Sequence, residues 1–190
     1  MMELPNNLCT KCDEISLYYA MQKDKRLIYD MSKEEQEIFE SMFHGECELH
    51  TWEEYQAKEN EFYTGNPGKN NYLLVVYDSQ IIGSVSYSYN DAKIPNMEMD
   101  IFMRATRHTG KGLGTKTLIL IADFLHKTYN IKTFIIRPSI RNARAIRCYQ
   151  KSGFEVMDKF NSLEYYGNDV GDWGDGDYGL EGTVNMVKVY

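Results

Sequence analysis

The sequence predicts an α+β protein in which a mixed, mostly antiparallel central sheet carries helices on both faces. Two runs rich in Val, Ile and Tyr, residues 71–77 and 81–89, are separated by the short turn 78–80 and predict a strand pair. A glycine-rich run, residues 109–115, precedes a long segment with helical apolar periodicity. Strands and helices that follow one another in this mixed order are typical of an α+β sheet.

The N-terminal third predicts a hairpin followed by two helices. Residues 15–21 and 26–29 are extended runs joined by a polar segment, which suits a hairpin. Ser32 and Glu35 have capping-box spacing for a helix over 33–43. Thr51 can cap a second helix over 52–62.

The rest of the chain supplies the remaining elements. A loop at 65–68, rich in Gly, Asn and Pro, leads into the strand pair. The predicted elements beyond that pair are a strand over 98–103, a helix over 113–129, a strand over 133–136, a helix over 142–152, and strands over 155–160 and 183–190.

Length and charge limit the classes of function. The chain has 190 residues and no Pro/Gly/Ser-rich divider, so we expect one domain over 1–190. Its net charge of −7 argues against a nucleic-acid binder and suits a cationic partner, although such a charge also serves solubility. The longest apolar run, 118–122, is too short for a bilayer, and the N-terminus resembles no leader. We therefore expect a soluble, cytoplasmic protein that binds neither nucleic acid nor membrane.

The glycine-rich run predicts a phosphate cradle. Gly110, Gly112 and Gly114 let the backbone approach a ligand, and the helix that begins near Leu113 directs free N–H groups at an anion. The Walker pattern fails because Lys111 lies between glycines. The dinucleotide pattern also fails, since no acidic residue follows at the expected distance.

A second motif lies about thirty residues further on. Asn142 can cap a short helix, and Gly153 can end it. Asn142 and Tyr149 are seven residues apart, which places them on one helix face where both could contact an extended ligand. Tyr149 could also serve only as an aromatic anchor against the sheet.

Together, these motifs resemble the GNAT superfamily of acetyl-CoA-dependent N-acetyltransferases. Segments 110–116 and 144–149 are most similar to the aminoglycoside 6'-N-acetyltransferases. The resemblance implies a GNAT-like fold, an acetyl-CoA-binding core over about 98–155, and acetyl transfer to a small amine. The cofactor-binding residues that it implies are Phe102, Met103, Arg104, Thr109, Gly110, Lys111, Gly112, Leu113, Gly114, Thr115, Asn142 and Tyr149.

The resemblance also implies catalytic residues. Tyr149 falls at the position of the general acid that protonates the departing sulfur, and Asp100 falls at an aspartate of the aminoglycoside enzymes. Glu98 lies two residues before Asp100, on the same strand face, so one carboxyl could have a raised pKa and act as a base. A substrate-positioning role for these carboxylates is the alternative.

One residue departs from the aminoglycoside pattern. Arg137 stands where those enzymes place an aspartate before Pro-Ser, and this charge reversal would repel a polycation. Two other functions therefore stay open. They are acetylation of an amino acid or of a peptide or protein N-terminus, and binding of acyl-CoA without catalysis. A homodimer also stays open.

Two further features raise the question of a metal. Cys9, Cys12, His44 and Cys47 are zinc-ligand types, but the long segment between the pairs favours free thiols, so we expect no metal. The acidic, glycine-rich segment 167–182 does not fit an EF-hand and is expected to form a flexible loop. That loop could act as a lid that attracts a polyamine.

Overall fold

A single sheet extends across the molecule. The computed structural model describes residues 6–43, 51–58, 60–167 and 176–190. Within them, eight strands pair in the order β1-β2-β3-β4-β5-β6-β8-β7, antiparallel except for β5 and β6. The strands are β1 (Leu8–Cys12), β2 (Ile15–Tyr19), β3 (Asn71–Tyr77), β4 (Gln80–Asn90), β5 (Asn96–Met103), β6 (Thr133–Ile136), β7 (Glu155–Val156) and β8 (Met186–Val189). The predicted mixed, mostly antiparallel sheet is confirmed.

Helices cover both faces of this sheet. The helices of the described residues are α1 (Lys25–Met31), α2 (Gln36–Phe43), α3 (Trp52–Ala57), α4 (Leu113–Tyr129), α5 (Ala143–Lys151), α6 (Ser162–Tyr166) and α7 (Gly179–Gly182). Along β3, Leu73 and Val75 pack in one core cluster with the buried residues of α4. Leu74 and Val76 point the other way and pack with α1. The two clusters follow from the alternation of side chains along a strand.

The central elements agree closely with the sequence prediction. Helix α4 and strand β6 have the predicted bounds, and β3, β4, β5 and α5 differ by at most two residues at each end. Asn142 caps α5, as predicted, because its side chain accepts a hydrogen bond of 3.0 Å from the Ala145 N–H. Thr51 forms the capping box of α3 with Glu54.

The predicted N-terminal hairpin is wrong in its second half. Residues 26–29 lie in α1, and β2 instead pairs with β1, a strand that the sequence analysis missed. Ile28 and Met31, one helical turn apart, are both buried against the sheet, so packing favours a helix here. The capping box at Ser32 is also wrong, because Ser32 ends α1 and α2 begins only at Gln36.

Four other predicted segments are shorter or differently folded. The strand over 183–190 contains only Met186–Val189. The helix over 52–62 ends at Ala57, and Asn60–Phe62 is a 3₁₀ turn. The strand over 155–160 contains only Glu155–Val156, and helix α6 was not predicted. Much of the predicted acidic loop, residues 168–175, lies outside the described residues, while its end forms the helical turn α7.

Candidate active site

Strands β5 and β6 separate at the centre of the site. Their parallel pairing ends at Glu98 and Ile135, whereas β5 continues to Met103, paired with β4. In the described chain, no strand pairs with the other edge of residues 99–103. Backbone N–H and C=O groups on such an edge can pair with an extended ligand, except the Ile101 N–H, which donates to Asp100 Oδ1 at 2.8 Å.

Two adjoining cavities open where these strands separate. The first, about 340 Å³, lies beside the glycine-rich run and α5, and we call it the cofactor cavity. The second, about 510 Å³, lies beside Glu98 and Asp100, and we call it the acceptor pocket. Ile101, Asn142 and Tyr149 line both cavities, so ligands in the two spaces would meet at these residues.

The glycine-rich run forms one end of the cofactor cavity. Gly110 and Gly112 have φ values of 70° and 79°, a left-handed conformation that glycine adopts without a Cβ penalty. Gly112 is the N-cap of α4, so the free N–H groups of the first helical turn begin at the cavity. Gly114 has another role, because a Cβ there would lie 3.2 Å from Cys148 Sγ of α5. The third glycine therefore allows α4 and α5 to approach closely.

A row of cations on α5 also faces the cofactor cavity. Arg144, Arg147 and Lys151 are spaced at i, i+3 and i+7, which places them on one helix face, and all line the cavity. Arg144 Nη1 lies 3.2 Å from Glu37 Oε1 and 3.4 Å from Thr109 Oγ1. The sequence analysis missed this row, although its spacing was visible. A glycine turn, a helix N-terminus and several cations are features that suit phosphate groups.

The structure brings most of the predicted cofactor-binding residues together. Phe102, Met103, Thr109, Gly110, Gly112, Gly114, Thr115, Asn142 and Tyr149 line the cofactor cavity. Arg104 instead pairs with Glu34, and the Leu113 side chain is buried in the core. The Lys111 side chain is exposed and does not line the cavity.

Asn142 connects the cavity to helix α2. Its side-chain oxygen accepts from Ala145, and its Nδ2 donates to the Ser41 carbonyl at 2.8 Å. Both polar atoms of the amide are thus used within the protein. Ser41 and Ile38 bring α2 to the wall of the cofactor cavity, a contribution that the sequence did not reveal.

The acceptor pocket is acidic. Glu98 and Asp100 project from the same face of β5, and Asp177 joins them from the segment before α7. Burial raises the pKa of Glu98 to about 7 even though the charge of Arg137 lowers it. The surrounding protein also raises the pKa of Asp100 to about 6, helped by the charge of Asp177, although the carboxyl opens into the pocket. Both carboxyls can therefore exchange a proton near neutral pH.

Tyr149 lies at the junction of the cavities. Its side chain is buried, and burial, with the nearby charge of Asp100, raises its pKa well above that of an ordinary tyrosine. The carbonyl of Tyr149 accepts from Phe154 N–H, and Gly153 N–H bonds Gln150, which completes a Schellman ending for α5. This ending fixes the last turn of α5, while the described residues provide no hydrogen bond to the Tyr149 hydroxyl. The hydroxyl thus remains protonated and open to a ligand.

Comparison with known proteins assigns the family. A family model described as an acetyltransferase (GNAT) domain matches residues 16–155. The chain belongs to the GNAT family. The predicted single domain over 1–190 stays a prediction, because this match covers only part of that range.

Curated relatives of this GNAT chain include two kinds of amine acetyltransferase. An aminoglycoside N(6')-acetyltransferase type 1 of Klebsiella pneumoniae is 39% identical over 57 residues, 30% of this chain and 28% of that protein. A spermine/spermidine N(1)-acetyltransferase of Bacillus subtilis is 31% identical over 100 residues, 50% of this chain and 63% of that protein. The chain therefore matches less than two thirds of the length of each relative.

A solved structure extends the similarity of fold to nearly the whole GNAT chain. The aminoglycoside acetyltransferase AAC(6')-Ib, in complex with paromomycin and acetyl-CoA, superimposes with a TM-score of 0.66. The superposition covers 93% of this chain and 94% of the other, at 19% identity. At that identity the similarity shows the fold.

Arg137 lines the acceptor pocket of this GNAT chain. The sequence analysis predicted that its positive charge would repel a polycation there. Arg137 follows β6 directly, and its Nε donates to Asn185 Oδ1 at 2.9 Å. Its charge favours the ionised form of Glu98. The pocket is therefore acidic with one internal cation among its described lining residues.

The structure describes only part of the four-ligand zinc hypothesis. Among the residues that the structure describes, no group of three or more His, Cys, Asp or Glu could hold a metal ion. Cys9 and Cys12 are free thiols, but His44 and Cys47 of the four-ligand hypothesis lie outside the described residues. No helix in the described ranges is long and apolar enough to cross a membrane.

Proposed function

We propose that this GNAT protein transfers the acetyl group of acetyl-CoA to a primary amine of a small cationic acceptor. The observation that carries the proposal is the meeting of a basic, glycine-lined cavity with an acidic pocket at Tyr149. The first suits a phosphate-bearing cosubstrate, and the second suits an ammonium group. The relatives named above act on, or bind, cationic amines, which supports the same class of acceptor.

The residues of the site suit the parts of the reaction. The open edge of residues 99–103 can pair with the extended arm of acetyl-CoA, and its N–H groups other than that of Ile101 can polarise the thioester carbonyl. Asp100, with Glu98 behind it, can take the proton of the ammonium, directly or through water. The freed amine then attacks the carbonyl carbon, the C–S bond breaks, and Tyr149 donates its proton to the departing thiolate. The nitrogen loses its second proton as the amide forms, and that proton can return to the Tyr149 phenolate through water.

An aminoglycoside is our named acceptor, because an aminoglycoside N(6')-acetyltransferase is among the relatives and segments 110–116 and 144–149 resemble such enzymes. Arg137 favours a second candidate, an amine that carries a carboxylate, such as an amino acid or a peptide N-terminus. We expect the protein to work in the cytoplasm.

The test is thiol release from acetyl-CoA, measured with a colorimetric thiol reagent against aminoglycosides, polyamines, amino acids and short peptides. We expect turnover with cationic amines and a loss of about 10²- to 10⁴-fold in kcat for Tyr149→Phe, while the variant still binds coenzyme A. Tyr77→Phe is the matched control, since Tyr77 is half-buried and lines neither cavity.

Three results would contradict this proposal. Turnover restricted to carboxylate-bearing amines would favour the second candidate. Binding of coenzyme A without turnover of any amine would identify an acyl-CoA-binding protein without catalysis. Full activity of Tyr149→Phe would remove the acid from the mechanism.

A further inference from the structure

The guanidinium of Arg137, in the wall of the acceptor pocket, is held in place by several contacts. Its guanidinium carbon lies 5.4 Å from the Phe160 ring centroid and 5.2 Å from that of Tyr166. The hydrogen bond to Asn185 fixes a third side of the group. Aromatic faces and a directed hydrogen bond hold a guanidinium in one place and keep it charged.

The Arg137 guanidinium lies at the end of the acceptor pocket that is farther from the cofactor cavity. Strand β5 runs toward the cofactor cavity, so Ile101 lines both spaces while Glu98 lines only the acceptor pocket. Glu98 precedes Asp100 by two residues, a displacement of about 7 Å along the strand. Arg137 lies two residues after Ile135, which pairs with Glu98, and its charge acts on that carboxyl.

The other end of the pocket keeps its negative charge. Asp100 lies near Tyr149, and the neighbouring charge that acts on Asp100 is the carboxylate of Asp177. The charged residues among the described lining are Glu98, Asp100, Asp177 and Arg137, a net charge of −2 when all are ionised. The charge of the pocket thus matches a dication.

We propose that Arg137 determines acceptor specificity by occupying, beside Glu98, the place where a longer polycation would put a further ammonium group. The inference rests on the proposed acetyl transfer. The preferred acceptor is then a small mono- or diamine whose charges lie beside Asp100 and Asp177. Amines with three or more cationic groups bind poorly, because their distal ammonium meets the guanidinium. This narrows the proposed cationic acceptors and excludes aminoglycosides of that charge.

The physical basis is repulsion between like charges in a partly desolvated pocket. Such juxtapositions weaken binding when a complex forms. Glu98 cannot compensate, because its charge is already offset by Arg137. The reacting amine lies at the opposite end, beside Tyr149, so Arg137 should influence KM for the acceptor and leave kcat nearly unchanged.

The test compares kcat/KM for spermine with kcat/KM for 1,4-diaminobutane by thiol release. Wild type and Arg137→Lys, which keeps the charge, should both prefer the diamine. Arg137→Gln and Arg137→Asp should raise the spermine-to-diamine ratio about tenfold or more, through KM for spermine. Lys127→Asp is the control for charge reversal, because Lys127 is exposed and lines neither cavity.

The outcomes separate this inference from the proposed function. If wild type turns over amines but prefers spermine, or if the ratio is unchanged in both Arg137→Gln and Arg137→Asp, the role of Arg137 is overturned and acetyl transfer stands. If wild type turns over no amine, both proposals fall. Melting curves identify an unfolded variant, in which case calorimetric binding of both amines to wild type decides, and tighter binding of spermine overturns the inference.

Discussion

Replacing Glu98 with glutamine should stabilise the folded protein at pH 8 and change little at pH 4. Burial raises the pKa of Glu98 to about 7, whereas a glutamate in an unfolded chain titrates near 4.3. A carboxyl whose pKa is raised by folding favours the folded state below the unfolded pKa, and this contribution is lost as the pH rises through 7. The neutral amide of glutamine avoids the cost of the buried charge.

The magnitude follows from the two pKa values. A tenfold change in proton affinity corresponds to about 1.4 kcal/mol, which places the upper limit of the effect at ~3–4 kcal/mol. The pocket opens to solvent, so screening reduces this figure to ~1–2 kcal/mol. For a chain of 190 residues, each kcal/mol changes Tm by about 2–4 °C. Glu98→Gln should therefore melt ~2–8 °C above wild type at pH 8.

The assay is thermal unfolding followed by circular dichroism at pH 4, 6 and 8. Glu155→Gln is the matched control, because Glu155 is exposed on β7 and should show no such dependence. An equal Tm for Glu98→Gln and wild type at pH 8 would refute the reasoning. A difference of the same size at pH 4 would also refute it, since the carboxyl is neutral there.

Three other substitutions test separate parts of the site. Gly112→Ala should cost roughly 1–2 kcal/mol of stability, seen as a lower Tm, because its φ of 79° is strained for alanine while no atom lies within 4 Å of the added Cβ. Arg147→Gln should raise KM for acetyl-CoA about tenfold and leave kcat unchanged, since a charge-assisted hydrogen bond contributes about 1.5–3 kcal/mol. Asp177→Asn should lower the pKa of Asp100, because a negative neighbour is removed, and so shift the rising limb of kcat/KM to lower pH. An unchanged pH profile would contradict the base role of Asp100.

The elements that the sequence predicted well carry their signals locally. Helix α4 combines long apolar periodicity with a glycine cap at Gly112, and α5 lies between Asn142 and Gly153. The N-terminal error has the opposite cause. The run 26–29 is rich in residues that favour strands, but burial of Ile28 in the core decides for a helix. The sequence of so short a segment does not indicate whether tertiary packing will make it a helix or a strand.

The two cavities of the site also differ in how far local sequence signals predict their lining residues. Many of the residues that line the cofactor cavity could be predicted, because the glycine-rich run and Tyr149 lie within continuous motifs. The acceptor side combines distant segments, since Asp177, Arg137 and Phe62 come from three separate parts of the chain. Their meeting depends on the order of strands in the sheet, which places β8 between β6 and β7, and no spacing in the sequence encodes it.

The contact between α4 and α5 links the glycine-rich run to Tyr149, the residue at the junction of the cofactor cavity and the acceptor pocket. Gly114 lies in the first turn of α4, where a Cβ would crowd Cys148 of α5, the residue before Tyr149. The close approach of the helices therefore sets the distance between the phosphate cradle and the phenol. Asn142 ties the other end of α5 to α2 through Ser41. Because packing beside Gly114 and the hydrogen bond from Asn142 to Ser41 hold α5 at both ends, we expect the proposed phosphate site and the proposed acid to keep their relative placement when the charges of the acceptor pocket change.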